Sequence, residues 1–159
     1  MAEKYINDCA KLLAERKLTI AFAESATAGW LCSEFALAED SGKVLKGGLV
    51  CYDASLKEKI LGIPHELIEQ YTPESKEVTE ELAKRLGNLI EADIHVGVTG
   101  LTSAGGSETE EKPVGTIFLA VLVKGKMTSE RYIFDGECED IIHKAIQAAA
   151  ALITKAVSP

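Results

Sequence analysis

The stretch Thr19 to Trp30 reads TIAFAESATAGW. With Leu18 it opens as an unbroken apolar run through Ala23, short enough for a strand and continuous enough to be buried on both faces. It then stops on Glu24-Ser25-Ala26-Thr27, and small residues follow as far as Trp30. One reading makes Ser25 a helix cap, its hydroxyl taking up orphan backbone amides of a helix that starts there. The other makes Ser25 a nucleophile held at the mouth of a sheet.

Outward from this stretch the periodicities alternate. Residues 2–16 place Tyr5, Ile6, Cys9, Leu12 and Leu13 on one helical stripe. After the first strand a helix from near Ser25 carries Trp30, Leu31, Phe35 and Leu37 inward and ends before Glu39-Asp40-Ser41-Gly42. Gly47 to Tyr52 reads as the next strand, delivering Tyr52 at its end. Short helical pieces flank Gly62-Ile63-Pro64, because Pro64 biases the residue before it away from helix. Thr72 then caps a longer helix with Pro73 at its first position and Val78, Leu82, Leu86, Leu89 and Ile90 facing the sheet. Strands follow over Ile94–Thr99 and Thr116–Val123, the latter pairing through Lys124-Gly125-Lys126 with Thr128–Phe134. A last helix starts near Glu137 and buries Ile141, Ile142, Ala145, Ile146, Ala149 and Ile153. Helices between strands on this scale imply an α/β fold, a three-layer α/β/α sandwich. The Lys124 hairpin makes its mostly parallel sheet mixed.

A chain of 159 residues is the size of one domain, large enough to bury about two-thirds of its unfolded surface. The sequence reads as a single domain over 1–159. The four cysteines, Cys9, Cys32, Cys51 and Cys138, lie far apart without zinc or redox spacing, so they are read as packing residues of a reducing, cytoplasmic compartment. Polar residues interrupt any early apolar run, so neither a signal peptide nor a membrane span is expected. A formal net charge of −8 opposes nucleic acid and anionic membrane as partners. His65, His95 and His143 are read as surface or packing residues, and no metal or cofactor is implied.

Three polar segments follow strands: Glu24 to Thr27, Tyr52 to Lys57, and Thr99 to Thr116. Loops at the carboxyl ends of neighbouring strands in an open α/β sheet converge on one crevice, where small molecules bind. Ser25 with Lys57 would make a Ser/Lys pair, a lysine of lowered pKa taking the serine proton, with Tyr52 relaying the proton or orienting the amine. Gly97, Gly100, Gly105 and Gly106 read either as an anion-binding nest or as a mobile loop. Glu108-Thr109-Glu110-Glu111 reads as a solvated loop.

At these residues the chain resembles the CinA C-terminal domain family, whose enzymatic members are nicotinamide-nucleotide amidases. The family's E-S-C-T-G-G stands as Glu24-Ser25-Ala26-Thr27-Ala28-Gly29, and its G-x-V-x-Y-x-x-x-x-K as Gly48 to Lys57. Its S-G-I-A-G-P and S-E-E-K-P-V-G-T are matched by Thr99 to Ser107 and Glu110 to Thr116. The resemblance implies deamidation of nicotinamide mononucleotide, with Ser25 as nucleophile, Lys57 as base and then acid, and Tyr52 assisting. It places Glu24, Ala26, Thr27, Thr99, Gly100, Thr102, Gly105 and Gly106 around the substrate, lets amides at the start of the second helix serve as oxyanion donors, and implies homo-oligomers. The chain departs from the pattern at Ala28, at Thr102-Ser103-Ala104, and at Cys138 and Ile142, which stand where the family has arginines. If either arginine touches the nucleotide phosphate, its loss costs about 1.5–3 kcal/mol of binding. These departures are the ground for the alternative, a nucleotide-binding or partner-binding module without turnover.

Overall fold

The computed structural model describes residues 2–159. In chain order the elements are α1 (Lys4–Glu15), β1 (Ile20–Glu24), α2 (Trp30–Ala36), α3 (Ser41–Val44), β2 (Leu45–Val50), α4 (Ala54–Lys59), α5 (His65–Tyr71), α6 (Lys76–Leu86), β3 (Ile94–Gly100), β4 (Thr116–Val123), β5 (Lys126–Ile133) and α7 (Cys138–Val157). The strands form one five-stranded sheet in the order β2-β1-β3-β4-β5. β2, β1 and β3 are parallel, and β4 is antiparallel to both β3 and β5. The sheet is therefore mixed, with β4 alone running against the others.

β1 explains the layers. All five of its residues are buried, and the period-2 alternation of a strand sends Ile20 and Phe22 to one face and Ala21 and Ala23 to the other. The first face is covered by α1, α2 and α7, with Phe22 and Phe35 rings 4.9 Å apart. On the opposite face Val78, Leu82 and Leu86 of α6 and Ile68 of α5 lie over the alanines. Each fully buried Phe or Leu contributes about 1.5–3 kcal/mol of transfer free energy. The chain moves one way from β1 to β2 and then crosses back beyond β1 to β3. Such a reversal opens a crevice at the carboxyl ends of the strands.

Turn chemistry agrees with the sequence in two places. Lys124 and Gly125 both have positive φ, 49° and 81°, the two-residue hairpin turn whose twist matches its strands. Glu137 and Asp140 form a reciprocal capping box at the start of α7.

Elsewhere the structure corrects the sequence reading. The second helix begins at Trp30 rather than near Ser25, because Ala28 and Gly29 take φ of 48° and 92° and break the helical path. Leu37, expected inward, is exposed just past the end of α2. The long helix begins at Lys76 with Ser75 as its cap, accepting from the Val78 amide at 3.2 Å, and not at Thr72-Pro73. Thr72 is held at φ 70°, outside any helix, with its hydroxyl tied to Lys112 and to the Glu74 carbonyl. That helix ends at Leu86, so Leu89 lies beyond it and is exposed.

Candidate active site

β1 ends on Glu24, which is 1% exposed and pairs with no cation among the described residues. It accepts instead from the Thr27 hydroxyl at 2.5 Å and from the amides of Gly29 and Leu31 at 3.0 Å and Cys32 at 2.7 Å. These are the orphan donors at the start of α2, so a carboxylate one turn upstream does what a Ser25 cap was expected to do. Ser25 is left free. Its amide prolongs the pairing with β3 through the Val98 carbonyl at 2.9 Å, and the Ala28 amide closes a turn back onto its carbonyl at 3.0 Å.

β2 is prolonged likewise, the Cys51 amide donating to the Glu24 carbonyl at 2.8 Å. Asp53 then caps α4 by accepting from the Ser55 amide at 2.9 Å. One turn of α4 turns Lys57 back under the strand ends. Its side chain is 1% exposed, and Nζ lies 3.1 Å from Ser25 Oγ and 3.0 Å from the Cys51 carbonyl. Burial pushes the Lys57 ammonium below the usual lysine range, against the opposing influence of Cys51, Glu74 and Asp53. A lysine so placed gives up its proton more readily than a solvated one, and a neutral amine in hydrogen-bonding reach of a hydroxyl can take its proton.

The third wall follows β3. Gly100 lies so close to β4 that a Cβ there would stand 2.6 Å from the Thr116 carbonyl, so only glycine fits. The loop beyond it is tied down by the Glu108 carboxylate on the Gly105 amide at 2.7 Å, and by Lys112 Nζ on Thr72 Oγ1 at 2.5 Å, the Glu74 carbonyl at 3.1 Å and Ser107 Oγ at 3.2 Å. The solvated reading of Glu108 to Glu111 therefore holds for its exposed members but not for the carboxylate of Glu108, which organises the loop.

The three strand-end segments enclose a cleft of about 260 Å³ lined by Ser25, Ala26, Tyr52, Glu74 and the run Gly100 to Gly106. Of the residues singled out in the sequence, Ser25, Ala26, Tyr52, Gly100, Thr102, Gly105 and Gly106 thus meet there, with Lys57 beneath Ser25. Glu24 and Thr27 do not line it; they are spent on the turn below. Thr99 is fully buried, its hydroxyl 2.8 Å from that of Thr79. Tyr52 is 61% exposed, and its hydroxyl bonds to neither Ser25 nor Lys57, so the geometry joins it to the cleft wall and not to the Ser/Lys pair.

The α2 amides of Gly29, Leu31 and Cys32 are occupied by Glu24 and cannot serve as oxyanion donors. The Ala26 amide donates to no protein acceptor among the described residues and belongs to a cleft-lining residue. Ala28 is exposed and outside the cleft, so its methyl does not meet a ligand there. Cys138 and Ile142, at the start of α7, do not line the cleft either. Glu74 was missed in the sequence, where it fell inside an expected first helical turn.

None of the three histidines lines the cleft. His65 pairs with Glu58, His95 donates to the Ile90 carbonyl at 2.7 Å, and His143 packs edge-on against Trp30. Among the described residues no three His, Cys, Asp or Glu side chains are grouped to hold a metal, and no helix is long and apolar enough to cross a membrane.

A family model described as the CinA C-terminal domain matches residues 2–157. A putative competence-damage inducible protein of Moorella thermoacetica is 34% identical over 92% of this chain, and a CinA-like protein of Thermotoga neapolitana 34% over 96%. The chain spans 35% and 37% of the length of those two relatives, about a third of each. The crystal structure of a CinA superfamily protein from Escherichia coli superposes with a TM-score of 0.91 at 29% identity, covering 98% of this chain and 90% of that one. A competence damage-inducible protein A from Klebsiella pneumoniae superposes at 0.90 with 26% identity, covering 96% and 94%. With the match running from the first helix to the last, the chain belongs to the CinA C-terminal domain family.

Proposed function

We propose that the protein is an amidohydrolase acting through Ser25 and Lys57, and that its substrate is the carboxamide of nicotinamide mononucleotide. The observation that carries the reading is the 3.1 Å approach of a buried lysine amine to a cleft-lining serine hydroxyl. The substrate rests on the family resemblance of the motifs around those two residues.

Neutral Lys57 takes the Ser25 proton as Oγ attacks the amide carbon. The developing oxyanion is met by backbone donors at the turn, for which the Ala26 amide is the available candidate, and one such donor is worth about 3–4 kcal/mol in the transition state. Collapse breaks the C–N bond while the Lys57 ammonium returns its proton to the departing nitrogen, releasing ammonia. Water then gives a proton to neutral Lys57 and adds to the acyl carbon. Loss of Ser25 Oγ, reprotonated by Lys57, frees the acid. The Cys51 carbonyl fixes the amine throughout, at 3.0 Å.

The test is ammonia release from nicotinamide mononucleotide by purified protein, with loss of turnover in Ser25→Ala. Equal rates for the two proteins remove Ser25 from the mechanism. The alternative, a binding module, is favoured by Thr102-Ser103-Ala104 in the cleft wall, where the sequence departs from the family pattern. It predicts binding heat with pyridine nucleotides and no ammonia.

A further inference from the structure

Glu74 borders two cavities and is the one residue that lines both. One is the cleft that holds Ser25. The other, of about 490 Å³, lies between the start of α6, the segment that carries Ser107 and Lys112, and the outer strands β4 and β5, which contribute Phe118 and Arg131. Lys76, Lys112 and Arg131 line it against the carboxylates of Glu74 and Glu77, so it is positive on balance in a chain of formal net charge −8. No lysine or arginine is among the residues that line the Ser25 cleft.

Two of these cations are poorly compensated. The Arg131 guanidinium lies 5.7 Å from the centre of the Phe118 ring and donates to the Glu111 carbonyl, and it pairs with no carboxylate among the described residues. A guanidinium held over a ring still has the rest of its planar fork to offer an oxyanion. Lys112 is largely buried, its Nζ bonded to Thr72 Oγ1, the Glu74 carbonyl and Ser107 Oγ and lying 3.7 Å from the Glu74 carboxylate. Burial pushes its ammonium below the usual lysine range, and Arg131 adds to that push against the influence of Glu74. Two like charges are thus near enough to repel, and an oxyanion between them would turn that repulsion into attraction. One arginine fork satisfies a planar carboxylate, whereas a tetrahedral phosphate has oxygens left for a second cation on another element. We infer that this cavity is a second ligand site, holding the phosphate group of a small molecule between Arg131 and Lys112 and separate from the cleft that carries Ser25. The inference does not depend on the amidase reading, since neither Ser25 nor Lys57 takes part in it.

The test is calorimetry with inorganic phosphate and, in a parallel titration, glycerol phosphate, both in phosphate-free buffer at constant ionic strength. Saturable binding is expected, and the tighter of the two ligands tells a free anion from the ester of a larger molecule. Arg131→Gln should weaken binding about tenfold or more through loss of a charge-assisted contact. Arg131→Lys, which keeps the charge without the fork, should fall between, and Lys4→Gln, which removes an exposed cation at the start of α1, should change nothing. Arg131 is exposed, so these replacements should leave the fold intact, which a thermal melt checks. In Ser25→Ala protein, phosphate should bind undiminished when nicotinamide mononucleotide is present in excess. No saturation below about 50 mM, equal affinity in Arg131→Gln, or displacement of phosphate by the nucleotide overturns the inference. A nucleotide that fails to bind at all counts against the proposed substrate alone, and the Arg131 comparison still decides this site.

Discussion

Glu24→Gln should be the most damaging single-atom change at this end of the sheet. The native carboxylate, 1% exposed, takes three donors on Oε2 and one on Oε1. A glutamine has one acceptor oxygen. Placing it at the Oε2 position keeps Thr27, Gly29 and Leu31 but sets an NH2 against the Cys32 amide, and the reverse orientation loses three bonds to keep one. Even the better orientation forfeits one charge-assisted bond, about 1.5–3 kcal/mol, and weakens the others by removing their charge. The neutral side chain regains part of the cost of burying a charge, so the net loss should be about 2–4 kcal/mol. That is a large share of the 5–15 kcal/mol typical of a domain. Urea unfolding at neutral pH, read as a lower midpoint at unchanged slope, measures it. Because Glu24 holds the turn that carries Ser25, turnover should fall as well. A variant within about 0.5 kcal/mol of the native protein would refute the claim that this carboxylate anchors α2.

The remaining predictions concern the lysine and the turns. In the proposed mechanism Lys57 must be neutral to act as base, so ammonia release should rise with pH to a plateau above its pKa, which burial holds below the usual lysine range. Glu74→Gln removes a carboxylate that favours the ammonium, and the rising limb should move to lower pH; a move upward contradicts the assignment. The same depressed pKa bears on stability. Between the folded value and 10.5 the unfolded chain binds the extra proton, so unfolding free energy should increase with pH across that window and lack this component in Lys57→Met. Ala28→Gly should stabilise by about 0.5–1 kcal/mol, because φ is 48° and the methyl is exposed; a loss of stability in thermal melts would count against left-handed strain there. Ser75→Ala should cost about 1 kcal/mol through the Val78 amide.

What was legible in the sequence depended on the range of the interaction. Period and turn chemistry placed β4 at Thr116–Val123 and α7 just after Glu137, since apolar runs, the Lys124-Gly125 turn and the capping box act over a few residues. The failures occurred where another group outbid the local preference or where an apolar period ran on past its helix. Thr72-Pro73 has the local form of a helix start, but Lys112, forty positions away, draws Thr72 out and leaves capping to Ser75. Ser25 has the local form of a cap, but the helix begins only at Trp30, where the neighbouring Glu24 reaches forward to the amides of Gly29, Leu31 and Cys32. Leu37 and Leu89 matched an apolar period that outlasted their helices. Glu74 carried no local signal, because its place in the cleft is created by the fold around Ser107 and Lys112.

The chemistry proposed for Ser25 and Lys57 suits strand ends for a physical reason. A lysine acts as base near neutral pH only if it is desolvated, and desolvating it costs stability unless rigid acceptors receive its protons. A serine on a flexible loop could not serve as one of those acceptors, since ordering it would cost about 1–2 kcal/mol per residue. Here Ser25 and the Cys51 carbonyl each lie one residue beyond a paired strand, and each is held by a hydrogen bond that extends the sheet, Ser25 to Val98 and Cys51 to Glu24. The ordering is already done by β1, β2 and β3. Lys57 therefore meets two fixed oxygens from a short helix, and the burial that desolvates it also lowers its proton affinity. Moving either oxygen a residue further from its strand would release that constraint, leaving the amine without fixed partners and with less reason to stay buried.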